Sequence, residues 1–323
     1  MPGAFSLPED VDLNRLQQAF RDLIAWDPVL RTSFHQDPDG VYAYVKDQVP
    51  FDIPVMQGEN REEVFGKFLR PFLLEEAPLL RAAYWHKPDG EWLLLVDMHH
   101  IIGDGLSTPL LIRRLDELYS GNRLPEAKVC YLDYAYEQMQ GENDPDPACK
   151  EYWLENLNAL PEALNLPADF ARPHRFDYRG KVVTHRLPGP LSGECDAFCA
   201  AAGITSYTFF AAAFGLLLAK LSGKEDLVIG TPVSGRLRPQ ELDICGPFIN
   251  TLPLRLQPKR GITVLEYMQA VQEAATGLLD HQRISQEEII AMHKLPRSFS
   301  QNPLYQVMFS QRPLDAGEFK RCV

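Results

Sequence analysis

The composition of the 323-residue chain is that of a globular protein, with 45% hydrophobic, 24% charged and 10% aromatic residues. This composition excludes a disordered chain or a coiled coil. The net charge of −12, from 44 acidic and 32 basic residues, argues against nucleic-acid and membrane partners, because anionic surfaces attract clustered Lys and Arg. At about 100 to 200 residues per domain, the length predicts two units or one unit of two halves.

The six cysteines contain no Cys-x-x-Cys pair, and a chain of this length does not need disulfides, so we expect reduced thiols and a cytoplasmic location. Cys195 and Cys199 are one helical turn apart, but no second ligand pair follows at a suitable spacing, and we predict no metal site. The first ten residues lack the regions of a signal peptide. The apolar run at 209–219 is shorter than the roughly 20 residues that span a bilayer and is predicted to be a core helix.

In chain order, the first predicted element is a helix that follows an Asp12 N-cap and stops before Asp27. Extended segments are predicted at 30–34 and 41–45, separated by the turn sequence DPDG. A helix is predicted at 62–69.

Two apolar strands at 79–85 and 92–98, joined by a Pro-Asp-Gly turn, predict a hairpin. The second strand leads directly into the sequence HHIIGDG. After it, Ser107 or Thr108 is predicted to cap a helix that ends near Tyr119, which brings the helix N-terminus beside the histidines.

The proline-rich, aperiodic stretch at 161–190 predicts the boundary between two halves. A helix at 192–201 follows, and then a long apolar helix that is capped by Thr205 and ends at Gly223. A buried strand at 227–230 and a helix at 264–281 complete the predicted elements, and helices that alternate with strands predict a two-layer α+β fold.

The segment His99-His100-Ile101-Ile102-Gly103-Asp104-Gly105 contains the residues best suited to chemistry. Adjacent side chains on a strand point to opposite faces, so at most one of the two histidines is expected to act on a substrate. Histidine has an ordinary pKa close to neutral and suits proton transfer. Two satisfied structural histidines remain an alternative, and Asp104 either orients a histidine or forms an Asp-Gly turn. A zinc site at His100 and Asp104 lacks a third ligand nearby.

The pattern HHxxxDG at 99–105 resembles the signature of nonribosomal peptide synthetase condensation domains and their chloramphenicol acetyltransferase-like relatives. Five further segments resemble family motifs in the same order, namely 30–34 (LRTSF, as in RHExLRTxF), 131–135 (YLDYA, as in YxDFAxW), 230–236 (GTPVSGR, as in GTPVAGR), 246–255 (GPFINTLPLR, as in GxFVNTxxxR) and 302–309 (NPLYQVMF, as in NPLFQVMF). The resemblance covers nearly the whole chain.

Four departures from the family pattern are visible. Trp26-Asp27-Pro28 replaces the Arg-His-Glu that opens the second motif, and Leu106 stands where many members have Trp. The first family motif is absent, and 14 residues follow Phe309 where the family continues further. The resemblance therefore implies a domain truncated at both ends.

The implied fold is an α+β two-layer sandwich of two chloramphenicol acetyltransferase-like halves, arranged as a V-shaped pseudo-dimer with a tunnel at the junction. Residues 1–165 are the N-terminal half, which carries HHxxxDG. Residues 166–323 are the C-terminal half, which is expected to be incomplete.

The implied activity joins a carrier-bound aminoacyl or peptidyl thioester to the amine of a carrier-bound aminoacyl acceptor, which makes the chain an amide-forming acyltransferase. The implied partners are donor and acceptor carrier proteins and a neighbouring adenylation domain. The carriers supply the phosphopantetheine arms, and no cofactor is expected to be bound by the chain itself.

The implied catalytic group comprises His100, Asp104 and Gly105. His100 is expected to act on the zwitterion formed by amine attack, either as a base or as a hydrogen-bond partner. Asp104 is expected to support the site by pairing with Arg236 or Arg31, and Gly105 to leave room for substrate and to direct its amide at the oxyanion. The residues expected to line the tunnel or support it are His99, Arg31, Arg236, Asn250 and Asn302.

Within the family, segment 99–119 resembles the subtype that joins two L-residues, although epimerisation domains share HHxxxDG. A degenerate scaffold that folds in part, or that binds carriers without turnover, is the competing non-enzymatic hypothesis. A coenzyme A-dependent acyltransferase of the same superfamily is the third hypothesis, and it predicts activity on a free thioester.

Overall fold

The computed structural model describes residues 1–126, 129–141, 145–175, 179–296 and 298–311. These residues form two compact units. The first contains the described residues up to 141 together with 236–248, and the second contains the remaining described residues from 145 to 311. The segment 236–248 thus belongs to the first unit although residues of the second unit flank it in sequence. The division of the chain into two halves at residues 165/166 stays a prediction.

The first unit contains six strands and four helices in the described residues. They are β1 (Pro2–Leu7), α1 (Leu13–Trp26), β2 (Thr32–Asp37), β3 (Gly40–Val45), β4 (Val55–Met56), α2 (Arg61–Phe68), β5 (Leu80–His86), β6 (Trp92–Met98), α3 (Ser107–Tyr119) and α4 (Tyr131–Met139). Short 3-10 turns occur at Pro28–Arg31, His100–Ile102 and Pro239–Asp243.

The main sheet of this unit has the strand order β1-β6-β5-β4. The pairs β1–β6 and β5–β6 are antiparallel and β4 runs parallel to β5. One face of the sheet, with Leu80 and Leu94, packs in the same core as Leu16 and Phe20 of α1. The other face packs against α2. Because both faces are buried, β5 and β6 read as almost continuous apolar runs, and the predicted hairpin is confirmed.

Helix α1 forms as predicted, because the Asp12 carboxylate accepts hydrogen bonds from the amides of Asn14 and Arg15, both at 3.0 Å. The extended segment predicted at 30–34 begins later than expected. Leu30 lies in the 3-10 turn that follows Asp27, and the extended backbone starts at Thr32. Strand β1 and helix α4 were not predicted.

The second unit contains five helices and two strands in its described residues. They are α5 (Pro147–Asn156), α6 (Gly189–Ala202), α7 (Ser206–Ser222), β7 (Leu227–Val233), β8 (Asn250–Leu256), α8 (Val264–Asp280) and α9 (Gln286–Met292). The described residues between α5 and α6 form neither helix nor strand, as the aperiodic sequence predicts.

Strands β7 and β8 are antiparallel, and segment 302–309 adds a parallel bridge between Gly230 and Met308. The amide of Gly230 donates to the carbonyl of Val307, and the amide of Phe309 donates to the carbonyl of Gly230, both at 2.9 Å. Two of the segments that resemble family motifs, 230–236 and 302–309, therefore lie side by side.

The apolar helix α7 is confirmed, with Thr205 as its N-cap and Gly223 at its C-terminus. Within the described ranges no single helix is both long and apolar enough to cross a membrane. Helices α6 and α7 taken together, which are bent by 105° at their break, are long and apolar enough by length and composition alone. Cys130, Cys149, Cys195, Cys199 and Cys245 are free thiols, and Cys322 lies outside the described residues.

Candidate active site

The HHIIGDG loop begins where β6 leaves the sheet. The amide of His99 donates to the carbonyl of Leu79 at 2.9 Å, so the ladder continues to this residue. The chain then forms the 3-10 turn His100–Ile102, in which the amide of Ile101 donates to Nδ1 of His99 at 3.1 Å and the amide of Ile102 donates to the His99 carbonyl at 3.2 Å. The two histidines therefore differ in their surroundings, because His99 caps the turn while His100 is exposed.

His99 is half-buried and its ring stands edge-on to Phe72, with the ring centroids 5.9 Å apart. Burial lowers the pKa of His99 below its ordinary value, and the positive charges of the Met1 amino group and His100 lower it further against the opposing effect of Asp97. The neutral imidazole is therefore favoured, which is the form that accepts a hydrogen bond at Nδ1.

Asp104 is buried and forms a two-pronged ion pair with Arg236, one of its two predicted partners. The Nη1–Oδ2 distance is 2.6 Å and the Nη2–Oδ1 distance is 3.1 Å. The carboxylate also accepts from the amides of Leu106, Ser107 and Phe248, at 3.1, 2.9 and 3.2 Å. Burial raises the pKa of Asp104, but the Arg236 and Ser107 hydrogen bonds outweigh it, so the net pKa lies below the ordinary value. Among the described contacts of this carboxylate there is none with His100.

Ser107 does not cap α3 as predicted. It is the first helical residue, Leu106 occupies the N-cap position without a side-chain hydrogen bond, and the Asp104 carboxylate satisfies the first amides of the helix. The Ser107 hydroxyl lies 2.9 Å from Asp104 Oδ1 and accepts from the amides of Asp104 and Gly246, both at 3.1 Å. Ser107 thus joins the HHIIGDG loop to segment 236–248.

Arg236 also fixes the backbone of its own segment. Its remaining N–H groups donate to the carbonyls of Glu241, Ile244 and Gly246 at 3.2 to 3.3 Å. Its guanidinium carbon lies 4.4 Å from the centroid of the Phe248 ring. A single buried arginine therefore neutralises Asp104 and orders the segment on which Asp104 rests.

A second buried ion pair also contacts segment 236–248. Arg114 of α3 contacts the Asp27 carboxylate at 3.2 Å and donates to the carbonyl of Asp243. Burial raises the pKa of Asp27 to about 6, against the opposing charge of Arg114. Neither residue was predicted to take part. The signals were available, because Arg114 follows Ser107 and Leu110 at helical spacing on the buried face.

The glycines of the loop have different surroundings. Gly103 is buried, and a Cβ there would lie 2.8 Å from Met98 Cε and 3.2 Å from Ser107 Cβ, so a side chain at this position would require both neighbours to shift. Gly105 and its neighbour Leu106 are exposed.

The remaining predicted residues make local contacts of their own. Arg31 donates to the carbonyl of Lys46 at 2.6 Å beside the β2–β3 hairpin. Asn250 and Asn302 belong to the second unit. Asn250 donates to the carbonyl of Ile284 at 2.6 Å, and Asn302 accepts from the amide of Leu304 at 2.9 Å, so both amide groups organise local backbone. In the part of the chain that the structure describes, no group of three His, Cys, Asp or Glu side chains is placed to hold a metal ion.

The comparisons with known proteins agree with this architecture. The family model described as "Condensation domain" matches residues 1–320, and the chain therefore belongs to the condensation-domain family. A plipastatin synthase subunit of Bacillus subtilis (strain 168) is 37% identical over 98% of this chain, and surfactin synthase subunit 2 of the same strain is 34% identical over 98%. The chain spans 12% and 9% of the length of these two relatives.

Solved structures show the same fold. The X-domain from teicoplanin biosynthesis superposes with a TM-score of 0.85 at 26% identity, over 95% of this chain and 72% of that one. A four-domain nonribosomal peptide synthetase bound to AMP and glycine gives a TM-score of 0.87 at 23% identity, over 98% of this chain and 25% of that one. The mixed α/β architecture is thus that of condensation domains, and the predicted chloramphenicol acetyltransferase-like fold class is confirmed.

Proposed function

We propose that the chain forms amide bonds between a carrier-bound aminoacyl or peptidyl thioester and the amine of a carrier-bound aminoacyl acceptor. The observation that carries this proposal is the HHIIGDG loop, in which an exposed His100 lies close in sequence to a buried, fully paired Asp104. The relatives described above belong to plipastatin and surfactin synthases, which agrees with such a reaction.

The chemistry follows from the reacting groups. An α-amino group has an ordinary pKa of about 7.7 to 8.0, so a fraction of it is neutral at physiological pH and attacks the thioester carbonyl without a strong base. The nitrogen–carbon bond forms first, which leaves a positive nitrogen and a negative oxygen. The nitrogen then loses a proton, the carbon–sulfur bond breaks, and the departing donor thiolate takes up a proton.

We assign His100 to this intermediate, where it takes the ammonium proton or donates a hydrogen bond. Its exposure on a three-residue turn leaves the imidazole accessible to a substrate. Asp104 is assigned a supporting role, because its oxygens are occupied by Arg236 and backbone amides. The exposed Gly105 is proposed to leave room for the reacting carbonyl and to offer its amide to the oxyanion.

His99, Arg31, Arg236, Asn250 and Asn302 are proposed as structural support, since each engages the protein backbone nearby. We also propose the subtype that joins two L-residues and a division into halves at 165/166. The partners would be two carrier proteins with their phosphopantetheine arms and an adjacent adenylation domain, in the cytoplasm.

The test is a reconstituted transfer reaction. The chain is mixed with a carrier loaded with an aminoacyl donor and a second carrier loaded with an L-aminoacyl acceptor, and the acceptor arm is analysed by mass spectrometry. A dipeptidyl arm that forms only when the chain is present supports the proposal. Equal turnover with donor offered as a coenzyme A thioester would favour the free-thioester acyltransferase instead, and inversion of a loaded residue without transfer would favour an epimerisation domain.

The second candidate function is the binding of a partner protein without catalysis. It is favoured by the similarity to the X-domain, which a second solved structure contains in a complex with OxyB from teicoplanin biosynthesis, at a TM-score of 0.83. Binding of loaded carriers by a folded chain that forms no amide would favour this candidate over the enzyme.

A further inference from the structure

The side chain of His99 closes the turn that carries His100. Two hydrogen bonds of the described chain close this turn, one from the amide of Ile101 to His99 Nδ1 and one from the amide of Ile102 to the His99 carbonyl. A ring nitrogen accepts an N–H only when it carries no proton. The geometry therefore requires an imidazole that is unprotonated at Nδ1, which in the neutral ring places the proton on Nε2.

We propose that His99 is a positioning residue, which holds the His100 turn in place only in its neutral form with the proton on Nε2. Protonation of His99 would remove the acceptor for the Ile101 amide and leave the turn closed by the Ile102 amide alone. The inference deepens the proposed function and rests on it for its catalytic meaning, because its effect on rate passes through His100.

The backbone and ring of His99 are both fixed, so the cap is built into the fold. Its amide is bonded to the carbonyl of Leu79 on β5, and its ring stands edge-on to Phe72. Because the main chain and ring of His99 are each held by a neighbouring residue, loss of the Nδ1 bond is expected to loosen the turn rather than to displace His99.

The charges around His99 are mostly positive. His100 lies on its own turn, Arg81 of β5 stacks on the Phe72 ring at 3.5 Å, and the Met1 amino group lies beside β6. The opposing group is Asp97 of β6, which already contacts the Met1 amino group at 3.2 Å and Arg81 at 3.5 Å. This environment lowers the pKa of His99 below its ordinary value, with burial as the largest cause.

The direction of the pH effect follows from this lowered pKa. Below about pH 6.5 the unfolded chain binds a proton at this position more readily than the folded chain. The stabilisation that the neutral ring provides is therefore complete above this pH and is lost as the pH falls through the window below it.

Two substitutions that introduce an amide side chain distinguish the roles of the two ring nitrogens of His99. In His99→Asn the side-chain oxygen takes the place of Nδ1, and Asn is a favoured helix cap that does not titrate. In His99→Gln the longer side chain places its amide nearer to the position of Nε2, so the Ile101 amide loses its acceptor. We expect amide formation to be about tenfold faster with His99→Asn than with His99→Gln at pH 7.5, a difference typical of one lost hydrogen bond. In the wild type, protonation of His99 should lower the rate of amide formation as the pH falls. This contribution should be absent from the pH dependence of His99→Asn.

The inference is tested independently of turnover by ¹⁵N NMR of the imidazole rings in the wild-type chain. At pH 7.5 we expect His99 to show a protonated Nε2 and an unprotonated Nδ1. As the pH falls, we expect the protection of the Ile101 amide against exchange, relative to its intrinsic rate at the same pH, to decrease. A proton on Nδ1, or equal rates for the Asn and Gln variants in an active preparation, would overturn the inference. If no preparation forms amides while the NMR result holds, the proposed function fails and the positioning of the turn stands.

Discussion

Replacement of Arg236 by alanine tests the most buried electrostatic contact of the first unit. The Arg236 and Asp104 side chains are 1% and 2% exposed, so water cannot replace the guanidinium. Breaking a buried ion pair by removing one partner costs about 3 to 5 kcal/mol, because the other charge stays buried without compensation. Domains have a total free energy of unfolding of about 5 to 15 kcal/mol, so we expect Arg236→Ala to remove about a fifth of it or more.

The assay is urea unfolding of wild type and variant at pH 7.5, followed by tryptophan fluorescence and far-ultraviolet circular dichroism. Arg113→Ala is the matched control, because the Arg113–Asp243 pair at 2.7 Å anchors the same segment but its side chains are 63% and 73% exposed. Exposed pairs contribute about 0 to 1 kcal/mol, so the control should unfold close to the wild type.

A double-mutant cycle with Asp104→Asn and Arg236→Met isolates the pair itself. Because the two groups compensate each other, the double variant should lose less free energy of unfolding than the sum of the single variants. Additive losses, or an Arg236→Ala variant within about 1 kcal/mol of the wild type, would refute the conclusion that this pair holds segment 236–248 against the loop.

Two further predictions concern the same part of the fold. The pKa of Asp27 is raised from 3.8 to about 6 by burial, so the folded chain binds the proton more tightly; between these pH values the free energy of unfolding should fall as pH rises, and Asp27→Asn should remove that slope from urea titrations. Gly246→Ala would place a Cβ 2.1 Å from the Tyr131 ring, and should unfold at markedly lower urea concentration than Gly193→Ala, where nothing lies within 4 Å. Equal midpoints for the two glycine variants would contradict the packing described.

The sequence predicted those elements that are marked by their own residues, through the hydrophobic pattern or through residues at a helix end. The hairpin β5–β6 was recognisable because both of its faces are buried, and α7 because Thr205 and Gly223 mark its ends. Helix α4 was not predicted, and none of its residues is fully buried.

The site was only partly predictable, because its contacts join residues far apart in sequence. Asp104 and Arg236 are separated by 132 positions, and the resemblance to a family named Arg236 as a partner where spacing alone did not. The cap of α3 was assigned to Ser107 or Thr108 because Ser and Thr favour that position, whereas the Asp104 carboxylate already satisfies the helix amides. Such competition between two good acceptors is decided by tertiary structure.

The central claim is that His100 acts on the intermediate of amide formation, and His100→Ala tests it most directly. The rate of dipeptide formation between loaded carriers is measured under single-turnover conditions for wild type, His100→Ala and the control His174→Ala, whose histidine is exposed in the second unit. We expect a loss of about 10²-fold or more for His100→Ala, the range of general acid–base catalysis, with no loss for the control. A folded His100→Ala variant that keeps the full rate would contradict the claim.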